Sequence, residues 1–172
     1  HCALGGLSHR QDDPAAASRP FDADRDGQVR GEGATALILE SRRHAEARGA
    51  GILARLCGWA ATCDHHRVGD GPPVASGLER AMTAALRHAH VQPGGLGHLN
   101  AHGLSTIEGD AIEALAIQKA VPAVPVTALK SYFGNLAAAS GAVEVAASVL
   151  SLAHRVVPPT LNYRRPDPDC PL

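Results

Sequence analysis

Two stretches of this sequence set polar, proton-bearing side chains at the ends of apolar runs. The first is Leu99-Asn-Ala-His102-Gly-Leu-Ser-Thr106, in which a histidine closes a short apolar segment and is followed by glycine and helix-starting residues. Open α/β sheets bind their ligands outside the carboxyl ends of their strands, so this is where such a protein places an active site. The second is Val126-Thr-Ala-Leu-Lys130-Ser-Tyr-Phe-Gly134-Asn135, where a lysine ends an apolar run that turns at a glycine. The two ends converge if their strands lie near each other in one sheet. Each stretch also has a plainer account: a buried histidine bonded to backbone, and a lysine whose stem lies along a sheet rim with its head in water. Residue pattern alone leaves both accounts open.

Other clusters of potential ligands are weaker. Asp22, Asp24, Asp26 and Gly27 fall at positions 1, 3, 5 and 6 of a calcium loop. Position 12 is Gly33 rather than a bidentate glutamate, Glu32 is one place early, and Arg19-Pro20 leads in without a helix, so calcium is not expected. His65 and His66 sit in a loop without a carboxylate at helical spacing. His88 and His90 are two apart on a helix and face different sides. Cys2, Cys57, Cys63 and Cys170 form no C-x-x-C pair and have no zinc spacing around them. They read as reduced cysteines, with Cys57 and Cys63 packed or inert. No metal is expected.

The elements that must position His102 and Lys130 follow from periodicity. Ala34–Glu40 is a continuous apolar run, a strand buried on both faces. Arg42–Arg48 is a short surface helix ended by Gly49, and Ile52–Cys63 has strand character. Gly69–Pro73 is a loop. Ser76–His90 is a helix with Ser76 and Glu79 at capping-box spacing and Leu78, Met82 and Leu86 on one face. Leu96–Ala101 and Val124–Leu129 are strands. Ser105–Ala120 is a helix capped by Ser105 and Glu108, with Ile112, Leu115 and Ala116 inward, and Gly141–Val156 is a third long helix. Strands alternating with helices predict an α/β class with a mostly parallel sheet.

At 172 residues, 45% hydrophobic but only 3% aromatic, the chain has the material for an alanine-rich layered core. A formal charge of −1 offers no field for nucleic acid or an anionic membrane, and neither partner is expected. By sequence no run reaches the roughly 18 apolar residues of a membrane span, and the start has no signal-peptide pattern, so a cytoplasmic location is expected.

Taken in order, five segments resemble the elongating β-ketoacyl-acyl-carrier-protein synthases of fatty-acid and polyketide synthesis. They are Arg19-Pro-Phe-Asp-Ala-Asp-Arg-Asp-Gly27 through Gly31-Glu-Gly-Ala34; Asn100-Ala-His-Gly103 with Ser105-Thr106 and Asp110; Lys130-Ser131 with Gly134; Ser140-Gly-Ala-Val-Glu144; and Pro158-Pro-Thr-Leu-Asn162. The resemblance implies a thiolase-like layered α-β-α sandwich present as its C-terminal portion. Residues 1–50 would be the last part of the N-terminal lobe, and 51–172 the C-terminal lobe, incomplete at its end. It implies decarboxylative Claisen condensation of malonyl-carrier protein with an acyl group held on a cysteine outside this chain, so the 172 residues alone are expected to be inactive.

The resemblance also makes His102 a donor to the malonyl thioester oxygen, with Lys130 near the second donor and Glu144 as its charge partner organising the site. The second donor, a histidine in the family pattern, is Asn135 here, and a carboxamide N–H can still donate although it cannot relay a proton. Thr106 and the position of Leu104, where the family carries threonine, are expected to line the pantetheine tunnel. Substrates would arrive on phosphopantetheine with no further cofactor. The implied partners are acyl carrier protein and a homodimer or ketosynthase-like heterodimer. The alternative is a non-catalytic, chain-length-factor type partner subunit.

Overall fold

The computed structural model describes residues 6–64 and 76–172. Cys2, His65, His66 and the Gly69–Pro73 loop lie outside the described residues. So does the Ser76 side chain, and with it that capping box.

Two short parallel strands, β1 (Leu99–Asn100) and β2 (Val126–Thr127), pair with Leu99 opposite Val126 and Asn100 opposite Thr127. The Leu99 N–H donates to Pro125 O at 2.8 Å and the Ala101 N–H to Thr127 O at 2.8 Å, continuing the ladder past both ends. Their connection contains helix α3 (Ile107–Ala120), as a parallel crossover requires. The expected Leu96–Ala101 and Val124–Leu129 strands are therefore present in shortened form. Their carboxyl ends emerge side by side, which brings His102 and Lys130 together.

Helix α1 (Arg42–Ala47) is capped by Ser41, whose hydroxyl accepts the His44 N–H, and α2 is Ser76–Ala89. Met82 and Leu86 of α2 lie on a core of Phe21, Ala101, Ala114, Ile117, Ala120, Val121, Ala128 and Cys170. Four of these eight are alanine, so α3 approaches the strand pair closely. One-turn helix α4 (Lys130–Phe133) follows β2, and α5 (Ser140–His154) closes the set. Asn100 of β1 ties α5 down, its Nδ2 donating to Glu144 O at 3.0 Å and to Ser148 Oγ at 3.2 Å. The Pro158–Asn162 segment lies along β2 and α4, where Thr127 donates to Pro158 O and Thr160 Oγ1 accepts the Ala128 N–H.

Several expectations are corrected. Residues 34–40 and 52–63 form no strand, and their apolar side chains are exposed, Ile38 at 83% and Leu53 at 79%. Among the described residues they have no strand neighbour to complete a ladder, and an apolar run alone does not make one. Cys57 and Cys63 are consequently exposed rather than packed; Cys170 is buried. Helix α3 begins at Ile107 with Thr106 as its N-cap and no side-chain cap bond, so the Ser105–Glu108 box does not form. Ser105 is instead held by the Asp110 carboxylate. Leu115 is exposed, whereas Ala116 is buried. Finally, Ala137–His154 is long and apolar enough, by length and composition, to cross a membrane. Glu144 within it is paired with buried Lys130.

The Asp22–Asp26 loop is a structural clasp. Asp22 accepts the N–H groups of Asp24, Arg164 and Arg165, and Asp26 accepts the Ser8 hydroxyl and the His9 N–H. Burial acts to raise the pKa of Asp22, but these backbone donors and Arg19 outweigh it and hold the carboxyl below its ordinary value.

Gly103 follows His102 with φ 47°, and a Cβ there would stand 2.6 Å from Ala128 Cβ and 3.1 Å from Pro20 Cβ. Gly103→Ala is expected to destabilise the protein by about 1–3 kcal/mol through positive-φ strain and overpacking. Denaturant titration of variant against parent measures it; a midpoint unchanged would contradict this packing.

Candidate active site

The loop leaving β1 is fixed from below by two buried carboxylates of α3. Glu113 accepts the His102 N–H at 2.7 Å and the Gly103 N–H at 2.8 Å. Asp110 accepts the N–H groups of Ser105 and Phe21. Burial pushes the Asp110 carboxyl up to about 6, against the Phe21 N–H, the Arg25 charge and further backbone N–H groups. Burial likewise raises Glu113, countered by its two backbone donors. Arg25, itself buried, ties the start of α3 to its surroundings by donating to the carbonyls of Thr106, Ile107 and Asp22 and to the Asp167 carboxylate. Ser105 is thereby held at φ 67°, unusual for a non-glycine residue.

Lys130 enters this loop from α4. It is 1% exposed, and its Nζ has three partners: a Glu144 carboxylate oxygen, His102 O at 2.7 Å and His102 Nδ1 at 3.1 Å. The lysine is buried and paired, not laid along a sheet rim, and the expected Lys130–Glu144 pairing is present. The His102 residue is exposed, yet its ring stands partly against protein. That desolvation, with the Lys130 charge beside it, lowers its pKa below the ordinary 6.5.

Asn135 stands one residue beyond α4's capping Gly134. Its Nδ2 donates to Gln28 Oε1 at 2.5 Å, and its Oδ1 accepts the Ala137 N–H at 3.0 Å and the Ser140 hydroxyl at 3.2 Å. The backbone comes equally close: Gly31 N–H donates to Asn135 O at 3.1 Å, and a Cβ on Gly31 would lie 1.9 Å from Phe133 O. That approach explains why Gly31-Glu-Gly occupies this crossing. Among the described hydrogen bonds none joins Asn135 to His102; the two are linked through α4 and Lys130. Leu104 and Thr106 are half-buried on the same loop as His102. Among the described residues no group of three or more His, Cys, Asp or Glu is arranged to hold a metal.

Sequence reasoning missed Glu113, Arg25 and Gln28 as site-forming residues. A signal existed for Glu113, since Asp110, Glu113, Ala114 and Ile117 repeat at i, i+3, i+4 and i+7. That puts two carboxylates on the helix face that must be buried. Gln28 offered none, because its partner lies 107 positions away.

Strand pair, crossover helix and strand-end site make an α/β arrangement, and comparison identifies its family. The chain belongs to the β-ketoacyl synthase family: the family's model "Beta-ketoacyl synthase, C-terminal domain" matches residues 53–164. The 3-oxoacyl-[acyl-carrier-protein] synthase 2 of Synechocystis sp. (strain ATCC 27184 / PCC 6803 / Kazusa) is 44% identical over 170 residues, 96% of this chain and 41% of that protein. A β-ketoacyl synthase structure from Burkholderia phymatum STM815 superposes with a TM-score of 0.93 at 40% identity, covering 98% of this chain and 41% of the other.

The AntDE:AntF structure, a type II polyketide-synthase acyl-carrier protein in complex with its ketosynthase, gives 0.92 at 39% identity over 99% of this chain and 43% of the other. The ishigamide ketosynthase/chain length factor gives 0.87 at 37% over 99% and 41%. The expected thiolase-like fold, present as its C-terminal portion, is thus established, and the chain spans about two fifths of the length of the relatives it matches.

His102 is expected to titrate below 6.5, and Lys130→Met is expected to raise its pKa by removing the neighbouring positive charge. Imidazole NMR across pH 4–9 reads both; a His102 pKa unmoved by the substitution would refute the coupling.

Proposed function

We propose that this chain supplies the malonyl-activating side of a β-ketoacyl-acyl-carrier-protein synthase, acting by decarboxylative Claisen condensation in fatty-acid or polyketide synthesis. The observation that carries the reading is the 3.1 Å approach of Lys130 Nζ to His102 Nδ1. An ammonium has three donors and no acceptor, so the nitrogen facing it must accept and the single ring proton sits on Nε2. The same charge disfavours a second proton. His102 is therefore kept as a neutral imidazole with an N–H on its outer nitrogen.

That N–H suits the malonyl thioester oxygen. As the bond to the carboxylate breaks, its electron pair becomes the enolate, carbon dioxide leaves, and negative charge collects on that oxygen. The enolate carbon then attacks the acyl carbonyl carbon. A carbon–carbon bond forms, the acyl–sulfur bond breaks, and cysteine departs as thiolate. Asn135 acts as second donor through the Nδ2 hydrogen not given to Gln28. Lys130 and Glu144 organise the pair. Thr106 and Leu104 line the pantetheine approach, and leucine at 104 forgoes a hydroxyl hydrogen bond worth about 0.5–1.5 kcal/mol. The substrates arrive on phosphopantetheine and no other cofactor takes part. The protein works in the cytoplasm with an acyl carrier protein, as a homodimer or paired with a ketosynthase-like subunit. The likeness to a ketosynthase solved with its carrier protein supports the carrier assignment.

A second reading, a non-catalytic subunit of chain-length-factor type, draws on the likeness to the ishigamide ketosynthase/chain length factor. The residue at the nucleophile position of the full-length protein separates the two, cysteine favouring the enzyme. In that protein His102→Ala is expected to reduce carbon dioxide release from malonyl-carrier protein by about 10²–10³-fold, the usual loss for one oxyanion donor. Wild-type protein that releases none above buffer would overturn the enzymatic reading.

A further inference from the structure

The surroundings of Asn135 leave its carboxamide one orientation. The Ala137 N–H can only donate, so the atom 3.0 Å from it is the carboxamide oxygen, and the Ser140 hydroxyl joins it at 3.2 Å. The amide nitrogen is thereby turned toward Gln28. The Gln28 atom 2.5 Å away must accept, which makes it Oε1. Orientation thus passes from a backbone N–H through Asn135 to Gln28 without a titratable group.

Both backbones are pinned as well. Asn135 N–H donates to Val29 O at 2.7 Å, and Gln28 exchanges bonds with Gly6 and Ser8, each at 3.0 Å. A carboxamide has two N–H groups. Gln28 takes one, and Ala137 with Ser140 take the oxygen, so among the described residues one N–H stays uncommitted in a side chain that cannot turn over without losing three bonds.

We infer that Gln28 is the positioning residue of Asn135, locking its carboxamide as a non-titrating donor to the substrate oxygen. This rests on the reading of His102 and Asn135 as donors to one thioester. Its consequence is that the second donor adds no titration of its own to the site, whose ionisable groups are His102 and the Asp110, Glu113, Lys130 and Glu144 side chains packed around it.

The test uses the full-length protein with malonyl-carrier protein as substrate. Gln28→Met keeps the length of the side chain and removes the acceptor. It is expected to lower kcat for carbon dioxide release about 3- to 10-fold, the range of one neutral hydrogen bond. KM should stay within about twofold and the acid limb unmoved, because the group lost touches neither carrier nor proton. Asn135→Ala is expected to lower kcat too, and adding Gln28→Met to it should have no further effect.

Additive losses in that double variant, or wild-type kcat in Gln28→Met, would overturn the inference. Should Gln28→Met fail to fold, Gln28→Glu retains an acceptor at the same reach. The ¹⁵N-labelled Asn135 side-chain amide is then expected to stay protected from exchange, its donated N–H moved downfield by the charged acceptor, and loss of that protection would overturn the pairing. His102→Ala separates the two levels. Wild-type activity abolished by His102→Ala but indifferent to Gln28→Met sinks this inference alone. Wild-type protein without activity sinks the proposed function and this inference with it.

Discussion

Lys130 is the constraint on which the rest of the site depends. Its ammonium lies almost wholly out of water and has three acceptors for its three protons, drawn from α5, from the backbone of His102 and from the His102 ring. Removing one member of such a set leaves a desolvated charge uncompensated, at about 3–5 kcal/mol for a buried pair. One side chain, through three contacts, therefore fixes the docking of α5 through Glu144, the path of the chain leaving β1 and the tautomer of the imidazole. Packing and chemistry cannot be varied separately at this position.

The arrangement continues below the loop. Asp110 and Glu113 project from one face of α3 and accept backbone N–H groups of residues 102, 103 and 105, so the loop is held by charges where a water-facing turn would be held by solvent. Asp110, raised to about 6 against an ordinary 3.8, is more readily protonated folded than unfolded. Its protonation contributes stability that is fully present below about 3.8 and lost as pH rises through about 6. Near neutrality the ionised carboxylate is retained at a cost in stability. What it secures is the positive φ of Ser105, whose N–H it accepts.

How much of this was legible in the sequence depended on whether each element carries its own partners. Helices α2, α3 and α5 were readable to within two residues because their hydrogen bonds are internal and their apolar stripes local. The β1 and β2 positions were readable because each lies beside a chemical signature and the crossover between them is short. Residues 34–40 and 52–63 were misread for the opposite reason: a strand exists only by virtue of its neighbour, and no described residue supplies one. The Lys130–Glu144 pairing was legible through family resemblance rather than spacing. Glu113 was legible in principle on a helical wheel, whereas the Gln28–Asn135 contact joins segments that no local pattern connects.

The asparagine at position 135 bears on proton accounting rather than on whether the proposed reaction can run. In that condensation a malonyl carboxylate enters with one negative charge and a cysteine thiolate leaves with one. Between them the charge moves from carboxylate to enolate oxygen to sulfur, and no proton need be taken up or delivered on the way. A group that must only stabilise the intermediate charge needs a donor in the right place, which a clamped carboxamide provides as well as an imidazole does. What the carboxamide lacks is the ability to change charge. On the proposed reading, desolvation and the Lys130 charge both favour neutral His102, Asn135 cannot ionise, and neither proposed donor needs to change protonation state during the step. The electrostatic work proposed for the site would then rest on geometry fixed during folding, down to the contact between Asn135 and the Gln28 amide.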